Sequence, residues 1–263
     1  MNMRQREKTK RPKQELTNMN NFDSAFSNFI RALHPTAEVV SDLIKGNTSF
    51  QNADYLFCER KVIVELKCLE EEKYNVIHGI CRDLLNKGES SSFREGMTVE
   101  EVIKDHPDKD QIKLEMHAKV TASLAGALEK ANRQIRETRH NLALPNSLGV
   151  VVVVNVDNTV LEPKLADGVM GKLMLQKNRD DSFRYEELSL IIYISHVHCQ
   201  ANGAMPFYVV KRGDAFDKVD FAFIEDFRDV WTRFTGRPVD DLQKAQWNQI
   251  RDISFASKEK SFD

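Results

Sequence analysis

The sequence predicts an α/β domain, a mixed central sheet flanked by helices, and three observations carry that reading. Two apolar runs, Asp54-Tyr55-Leu56-Phe57-Cys58 and Val62-Ile63-Val64-Glu65-Leu66-Lys67, flank the charged turn Glu59-Arg60-Lys61 and read as a hairpin. A long amphipathic helix over about 115–141 follows, with Val120, Leu124, Ala127, Leu128, Ala131 and Ile135 on one stripe. Then Leu148-Gly149-Val150-Val151-Val152-Val153-Val154 is almost entirely β-branched, as suits a strand covered on both faces. Strand, helix, strand makes a crossover unit, so the run 148–154 is expected to lie parallel to the strand before the helix.

The remaining elements follow in chain order. Residues 1–20 carry Arg4, Arg6, Lys8, Lys10, Arg11 and Lys13 with little that is apolar and read as a basic flexible arm ahead of a single domain, 21–263. Phe22, Phe26, Phe29, Ile30 and Leu33 fall at helical spacing, and His34-Pro35 ends that helix. Thr36 is a fair N-cap for a second helix over 36–44. The polar run Asn47-Thr48-Ser49-Phe50-Gln51-Asn52 leaves little room for a strand before Asp54. A helical insertion at about 70–115 follows the hairpin. In it Ile77, Ile80, Cys81, Leu84 and Leu85 share a helical face, and Thr98-Val99-Glu100-Glu101 is a capping box for a short helix closed by Pro107. Beyond the buried strand, a turn at Asp157-Asn158, a helix over 166–176, strands over 188–194 and 207–210 and helices over 221–234 and 240–253 make a C-terminal α/β extension. The aromatics Phe223, Phe227, Trp231 and Trp247 are expected to pack rather than to stack on bases.

Composition narrows the function classes. A chain of 263 residues that is 41% hydrophobic can bury a proper core. Its longest apolar runs fall far short of the roughly 20 residues that span a bilayer. No apolar stretch follows Met1, so the expectation is a soluble cytoplasmic protein with no membrane partner. Cys58, Cys68, Cys81 and Cys199 form no CxxC pair and read as reduced, buried or half-buried thiols. His196-Val197-His198-Cys199 sets two imidazoles on one strand face, but no second ligand pair stands at recognisable spacing, so ordinary strand-end histidines are expected. A formal charge of −2 argues against general coating of nucleic acid and leaves the local potential at a site to decide. No phosphate-binding glycine loop, GxSxG elbow or Cys–His nucleophile arrangement is present.

On a strand, Glu65 and Lys67 share a face while Leu66 points the other way with Val62 and Val64. A carboxylate and an ammonium therefore stand side by side where an otherwise apolar strand ends. Three further Glu-x-Lys triplets lack that setting: Glu59-Arg60-Lys61 is the charged turn of the hairpin, Glu71-Glu72-Lys73 lies in an acidic segment, and Glu162-Pro163-Lys164 contains a proline that a central strand would not hold. From the residues alone, a cross-strand ion pair with Asp54 as an ordinary turn residue stays open beside a functional site.

The pattern Asp54, ten residues, Glu65-x-Lys67 resembles that of the PD-(D/E)XK, or restriction-endonuclease-like, nuclease superfamily. The proline that names the motif is absent here, Asn52-Ala53 preceding Asp54. The resemblance implies a restriction-endonuclease-like core and Mg²⁺-dependent hydrolysis of phosphodiesters, with Mn²⁺ as a substitute. It implies that Asp54, Glu65 and the Leu66 carbonyl hold the metal, an oxygen set that suits a hard cation. Lys67 would orient or help deprotonate the attacking water. Glu38, on the helix before the hairpin, is the match for a glutamate that completes the metal site, with a first-turn helix glutamate as the alternative. In Lys130-Ala131-Asn132-Arg133-Gln134-Ile135, Gln134 matches a glutamine that faces the metal, against a polar boundary residue on an amphipathic helix. Arg133, Arg136 and Arg139 suit a neighbouring phosphate backbone, against a solvated basic face. The implied partner is nucleic acid, DNA in preference to RNA, with a homodimer or a partner protein supplying specificity and microbial defence as a context. The alternative is a catalytically silent member that binds nucleic acid or a protein.

Overall fold

The computed structural model describes residues 22–33, 37–44, 51–70, 79, 106–213 and 218–241. The elements in chain order are α1 (Phe22–Leu33), β1 (Glu38–Val39), α2 (Val40–Leu43), β2 (Tyr55–Phe57), β3 (Val62–Leu69), α3 (Lys109–Asn141) and β4 (Leu148–Asn155). They continue with α4 (Pro163–Met174), β5 (Leu190–Ser195), β6 (Met205–Lys211), α5 (Lys218–Thr235) and β7 (Val239–Asp241). The strands form one seven-stranded mixed sheet whose spatial order is the chain order, β1 to β7. Pairing is antiparallel from β1 to β3, parallel across β3, β4 and β5, antiparallel between β5 and β6 and parallel between β6 and β7.

Alternation along the strands divides the core into two layers. Ile63, Val151, Val153, Ile191 and Tyr193 pack with Leu124, Leu128, Ala131 and Ile135 of α3 and Val169 and Met170 of α4. Val62, Val64, Leu66, Val150, Val152 and Val154 face the other way, onto Phe26 and Ile30 of α1 and Phe223, Phe227 and Trp231 of α5. The β-branched run of β4 is inaccessible from Val150 to Val154, as a strand between two helical layers requires. Its glycine has a separate cause. A Cβ on Gly149 would stand 2.0 Å from the Glu187 carbonyl oxygen, so only glycine fits beside that backbone.

The second layer is dominated by rings. Phe26 meets Tyr55 edge-on at 5.3 Å between centroids, Trp231 at 5.6 Å and Phe234 at 5.0 Å. Phe57 meets Phe223 at 5.5 Å. These edge and tilted contacts are favourable for ring quadrupoles. Phe223, Phe227 and Trp231 of α5 are therefore core, as their helical spacing predicts.

The segment expected to be a second helix over 36–44 folds otherwise. Glu38–Val39 is a strand that pairs antiparallel with β2, Glu38 opposite Leu56 and Val39 opposite Tyr55, and only Val40–Leu43 is helical. Backbone pairing with a strand distant in sequence overrides the local helical pattern. The same strand corrects the expectation that none precedes Asp54: it lies ahead of the polar run, not within it. The helix expected over 115–141 starts earlier, at Lys109, and the one expected at 166 starts at Pro163, which occupies its first turn. Asp240 and Asp241, expected to open a helix, pair with β6 in β7. The arm 1–20, the N-cap Thr36, the insertion helix and its capping box, and Trp247 lie outside the described residues. No described helix is long and apolar enough to cross a membrane.

The β2–β3 turn is left-handed. Cys58, Glu59 and Arg60 all have positive φ, 52°, 55° and 65°, and the Lys61 N–H closes the turn on the Cys58 carbonyl at 3.1 Å. None of the three is glycine, so each carries a steric cost that the surrounding pairing must outweigh. Arg60 contributes by donating from Nε and Nη2 to the two carboxylate oxygens of Glu38, each at 2.7 Å.

Candidate functional site

Asp54 stands one residue ahead of β2, fixed by its backbone on both sides. Its N–H donates to the Val64 carbonyl at 3.1 Å, and its own carbonyl accepts the Val40 N–H at 2.9 Å. The side chain then reaches across the end of the hairpin, where Oδ2 accepts the Leu66 N–H at 2.8 Å. N–H and C=O of one strand residue point to the same side, so the Leu66 carbonyl is directed toward Asp54 as well.

Glu65 and Lys67 occupy the face of β3 turned toward α3, on the side of Ile63 and Leu69 and opposite Val64 and Leu66. Glu65 is 1% exposed. Its Oε1 accepts from the Lys67 ammonium, and its Oε2 is buried with no hydrogen-bond partner. Lys67 Nζ also donates to Gln134 Oε1 at 2.7 Å, and Gln134 Nε2 donates to the Asn52 carbonyl at 3.1 Å. Asp54, Glu65, Lys67 and Gln134, each singled out in the sequence, thus meet at one place, Gln134 from a helix 67 residues further on. An ammonium has three donors. Glu65 and Gln134 take two, and the third is left for a water or an anionic oxygen.

The electrostatics of the cluster follow from burial and from like charge. Burial pushes the Asp54 carboxyl up to about 6, against the Leu66 N–H and Lys67, which pull it down, and with the charge of Asp23 adding to the rise. Glu65 is raised well above the usual carboxylate range, first by burial and then by the neighbouring Asp54 carboxyl, with Lys67 opposing. Two buried carboxyls beside each other hold a proton more strongly than either would alone.

Glu38 stands elsewhere. Its pairing opposite Leu56 sets it by the hairpin turn, where the bidentate contact with Arg60 engages it and lowers its carboxyl. The third acid that acts on the cluster is Asp23, in the first turn of α1. Partial burial raises its carboxyl, Lys67 pulls it down, and its charge in turn acts on Asp54. One signal for it was in the sequence: Asp23 is the sole acid of the segment 22–33.

The histidine pair at the end of β5 builds a different structure. His198 Nδ1 meets Ser195 Oγ at 2.7 Å and Nε2 meets the Thr159 carbonyl at 2.9 Å, so both ring nitrogens are engaged in tying the loop down. Burial holds the His196 imidazole below its ordinary range. Beneath them Asn155 donates to the carbonyls of Asn158 and Leu161 and to Tyr193 Oη at 2.9 to 3.3 Å.

Whether a divalent metal suits the cluster is decided by its donors. Asp54 and Glu65 supply carboxylate oxygens, one of them the buried and unpartnered Glu65 Oε2, and the Leu66 carbonyl faces the same way; hard cations take such a set. Among the described residues no group of three or more His, Cys, Asp or Glu side chains is arranged to hold a metal. Two carboxylates and a carbonyl are a smaller set than that, of the kind Mg²⁺ completes with water. Compared with known proteins, the chain matches no family model, no curated protein and no solved structure.

Proposed function

We propose that the chain is a metal-dependent nuclease of the PD-(D/E)XK class, hydrolysing phosphodiester bonds of nucleic acid, DNA in preference to RNA. The observation that carries this reading is the convergence of Asp54, Glu65, Lys67 and Gln134 at the open end of the hairpin, with one Glu65 oxygen buried and unpartnered. The order α1, β1, α2, β2, β3, α3, β4, with a parallel step from β3 to β4, supports it, because the resemblance in the sequence implies a helix, a strand and a hairpin followed by helix and parallel strand.

Asp54 and Glu65, with the Leu66 carbonyl, would hold Mg²⁺ or Mn²⁺. Such an ion acidifies a bound water and offsets charge on the phosphoryl oxygens. Lys67, its ammonium fixed by Glu65 and Gln134, directs its remaining donor at the attacking water or at a phosphate oxygen, where negative charge develops. Gln134 acts by holding Lys67 through one end of its amide while its other end is fixed on Asn52. Asp23 lies within electrostatic reach of the cluster.

The test is Mg²⁺-dependent cleavage of plasmid and oligonucleotide DNA and of RNA by the wild type beside Asp54→Ala, Glu65→Ala and Lys67→Ala. Each substitution is expected to lower the rate by about 10²-fold or more. Folded variants that cut as fast as the wild type would sink the assignment. Absence of cleavage, together with a melting temperature that Mn²⁺ leaves unchanged, would favour a catalytically silent scaffold.

A further inference from the structure

The three residues before Asp54 belong to no strand, yet they set the position of a proposed metal ligand. Asp54 itself is tied to β3 through Val64. The amide of Ala53 points away from that pairing and is buried, and a buried N–H without an acceptor is costly. Its acceptor is Thr138 Oγ1 of α3, at 2.6 Å, on a residue with no exposed surface. Around this contact, neighbouring turns of the same helix hold the rest of the segment. Glu137 Oε2 accepts the Gln51 N–H at 2.8 Å, Asn141 Nδ2 donates to Asn52 Oδ1 at 3.0 Å, and Gln134 Nε2 donates to the Asn52 carbonyl at 3.1 Å. Arg133 Nη2 reaches Gln51 Oε1 at 2.8 Å. Gln134, Glu137, Thr138 and Asn141 fall at the spacing of one helix face, so a single surface of α3 grips the whole segment.

We infer that Thr138 is a positioning residue for the site: its hydroxyl, at the centre of this grip, fixes the backbone at Ala53 and so aims the Asp54 carboxylate at the metal shared with Glu65. The inference rests on the metal-dependent reading of the site and adds to it the group that sets metal affinity without touching the metal. The hydroxyl stands in for the strand pairing that a segment outside the sheet lacks. Gln134 gives the arrangement a second effect, because the same amide holds Asn52 and the Lys67 ammonium, so the aspartate segment and the lysine are set by one helix face. Supports at one remove from a metal commonly change affinity 10- to 100-fold when lost.

Full-length wild type is compared with Thr138→Val, Thr138→Ser and Thr121→Val by calorimetric titration with Mn²⁺ and by amide exchange at Ala53. Thr121 is a matched control, a buried threonine of the same helix whose hydroxyl donates to the His117 carbonyl at 2.7 Å. Thr138→Val is expected to weaken Mn²⁺ binding about 10- to 100-fold and to speed Ala53 exchange, with Thr138→Ser near wild type and Thr121→Val unchanged. Wild-type Mn²⁺ affinity in a folded Thr138→Val protein overturns the positioning role alone. Equal losses in Thr138→Val and Thr121→Val, or no recovery with serine, overturn it also, since they point to a general loosening of the helix. No Mn²⁺ binding by the wild type overturns the metal-site reading, and the positioning role with it.

Discussion

Two lysine–carboxylate pairs are buried in the described part of the molecule, and their surroundings differ. Lys211, at the end of β6, donates to Asp220 in the first turn of α5, with the lysine 13% and the aspartate 0% exposed. Lys67 donates to Glu65, 20% and 1% exposed. The first pair sets a carboxylate at a helix start, where negative charge is favoured. The second sets a single lysine among Glu65, Asp54 and the more distant Asp23. The first pair joins a strand to a helix. A cluster that leaves negative charge over in a buried place is unfavourable by itself and becomes favourable when a cation enters, which is why the second pair is read as a site and the first as structure.

The sharpest break between the two is expected in stability. Asp220→Asn removes the buried carboxylate that accepts from Lys211 and should cost about 3 kcal/mol, read as a lowered urea midpoint, with no change in Mn²⁺ affinity. Glu65→Gln relieves the crowding of carboxyls and should raise the stability of the metal-free protein by about 1 kcal/mol while abolishing Mn²⁺ binding. Destabilisation of similar size by both substitutions would erase the contrast.

A second difference is expected in pH. Asp54 has its folded-state value near 6 against an ordinary 3.8, so the folded protein binds the extra proton between those values. Stability from this group is therefore gained as pH falls through about 6 and lost as pH rises through it. In chelator, lowering pH from 7 to 5 should stabilise the wild type relative to Asp54→Asn by on the order of 1–2 kcal/mol. Saturating Mg²⁺ should reverse the slope if the proposed site holds it, because a metal would bind the ionised carboxylates. Equal pH slopes for the two proteins in chelator would show that Asp54 does not titrate in this range.

The smallest effect belongs to Glu38. Its contact with Arg60 is a partly exposed ion pair, and Glu38→Ala should cost less than about 1 kcal/mol and leave Mn²⁺ affinity unchanged. Loss of metal binding on this substitution would return Glu38 to the site, whereas the same loss on Asp23→Ala would support the aspartate in its place.

These contrasts also mark what the sequence could convey. The hairpin, β4 and the long helix are written in local periodicity, with β-branched residues in runs and apolar residues at helical spacing, so each was legible where it stood. Glu38 was assigned to a helix because its strand partner Leu56 lies far along the chain and nothing local announces the pairing. Asp23 has no distinguishing pattern, because an acid opening a helix carries the same local signature whether it merely favours the helix end or acts on a site. Thr138 was invisible for a related reason: its partner Ala53 is 85 residues away, and a threonine among polar helix residues has no pattern of its own. Gln134 was legible through the resemblance, though its bond to Asn52 was not.

The ring cluster that joins α1 to α5 has a consequence for how the chain is made. Phe26 leaves the ribosome about 200 residues before Phe227 and Trp231, the rings that cover it in the finished protein. At typical translation speeds of about 5–20 residues per second, that is a wait of roughly 10–40 s. By its last part the residues of the proposed site, all of which precede β4, are synthesised, while the apolar face of the sheet behind them lacks the cover of α5. The nascent chain passes through a stage in which its chemistry is written but half its core is open, and that stage is where a chaperone would find it.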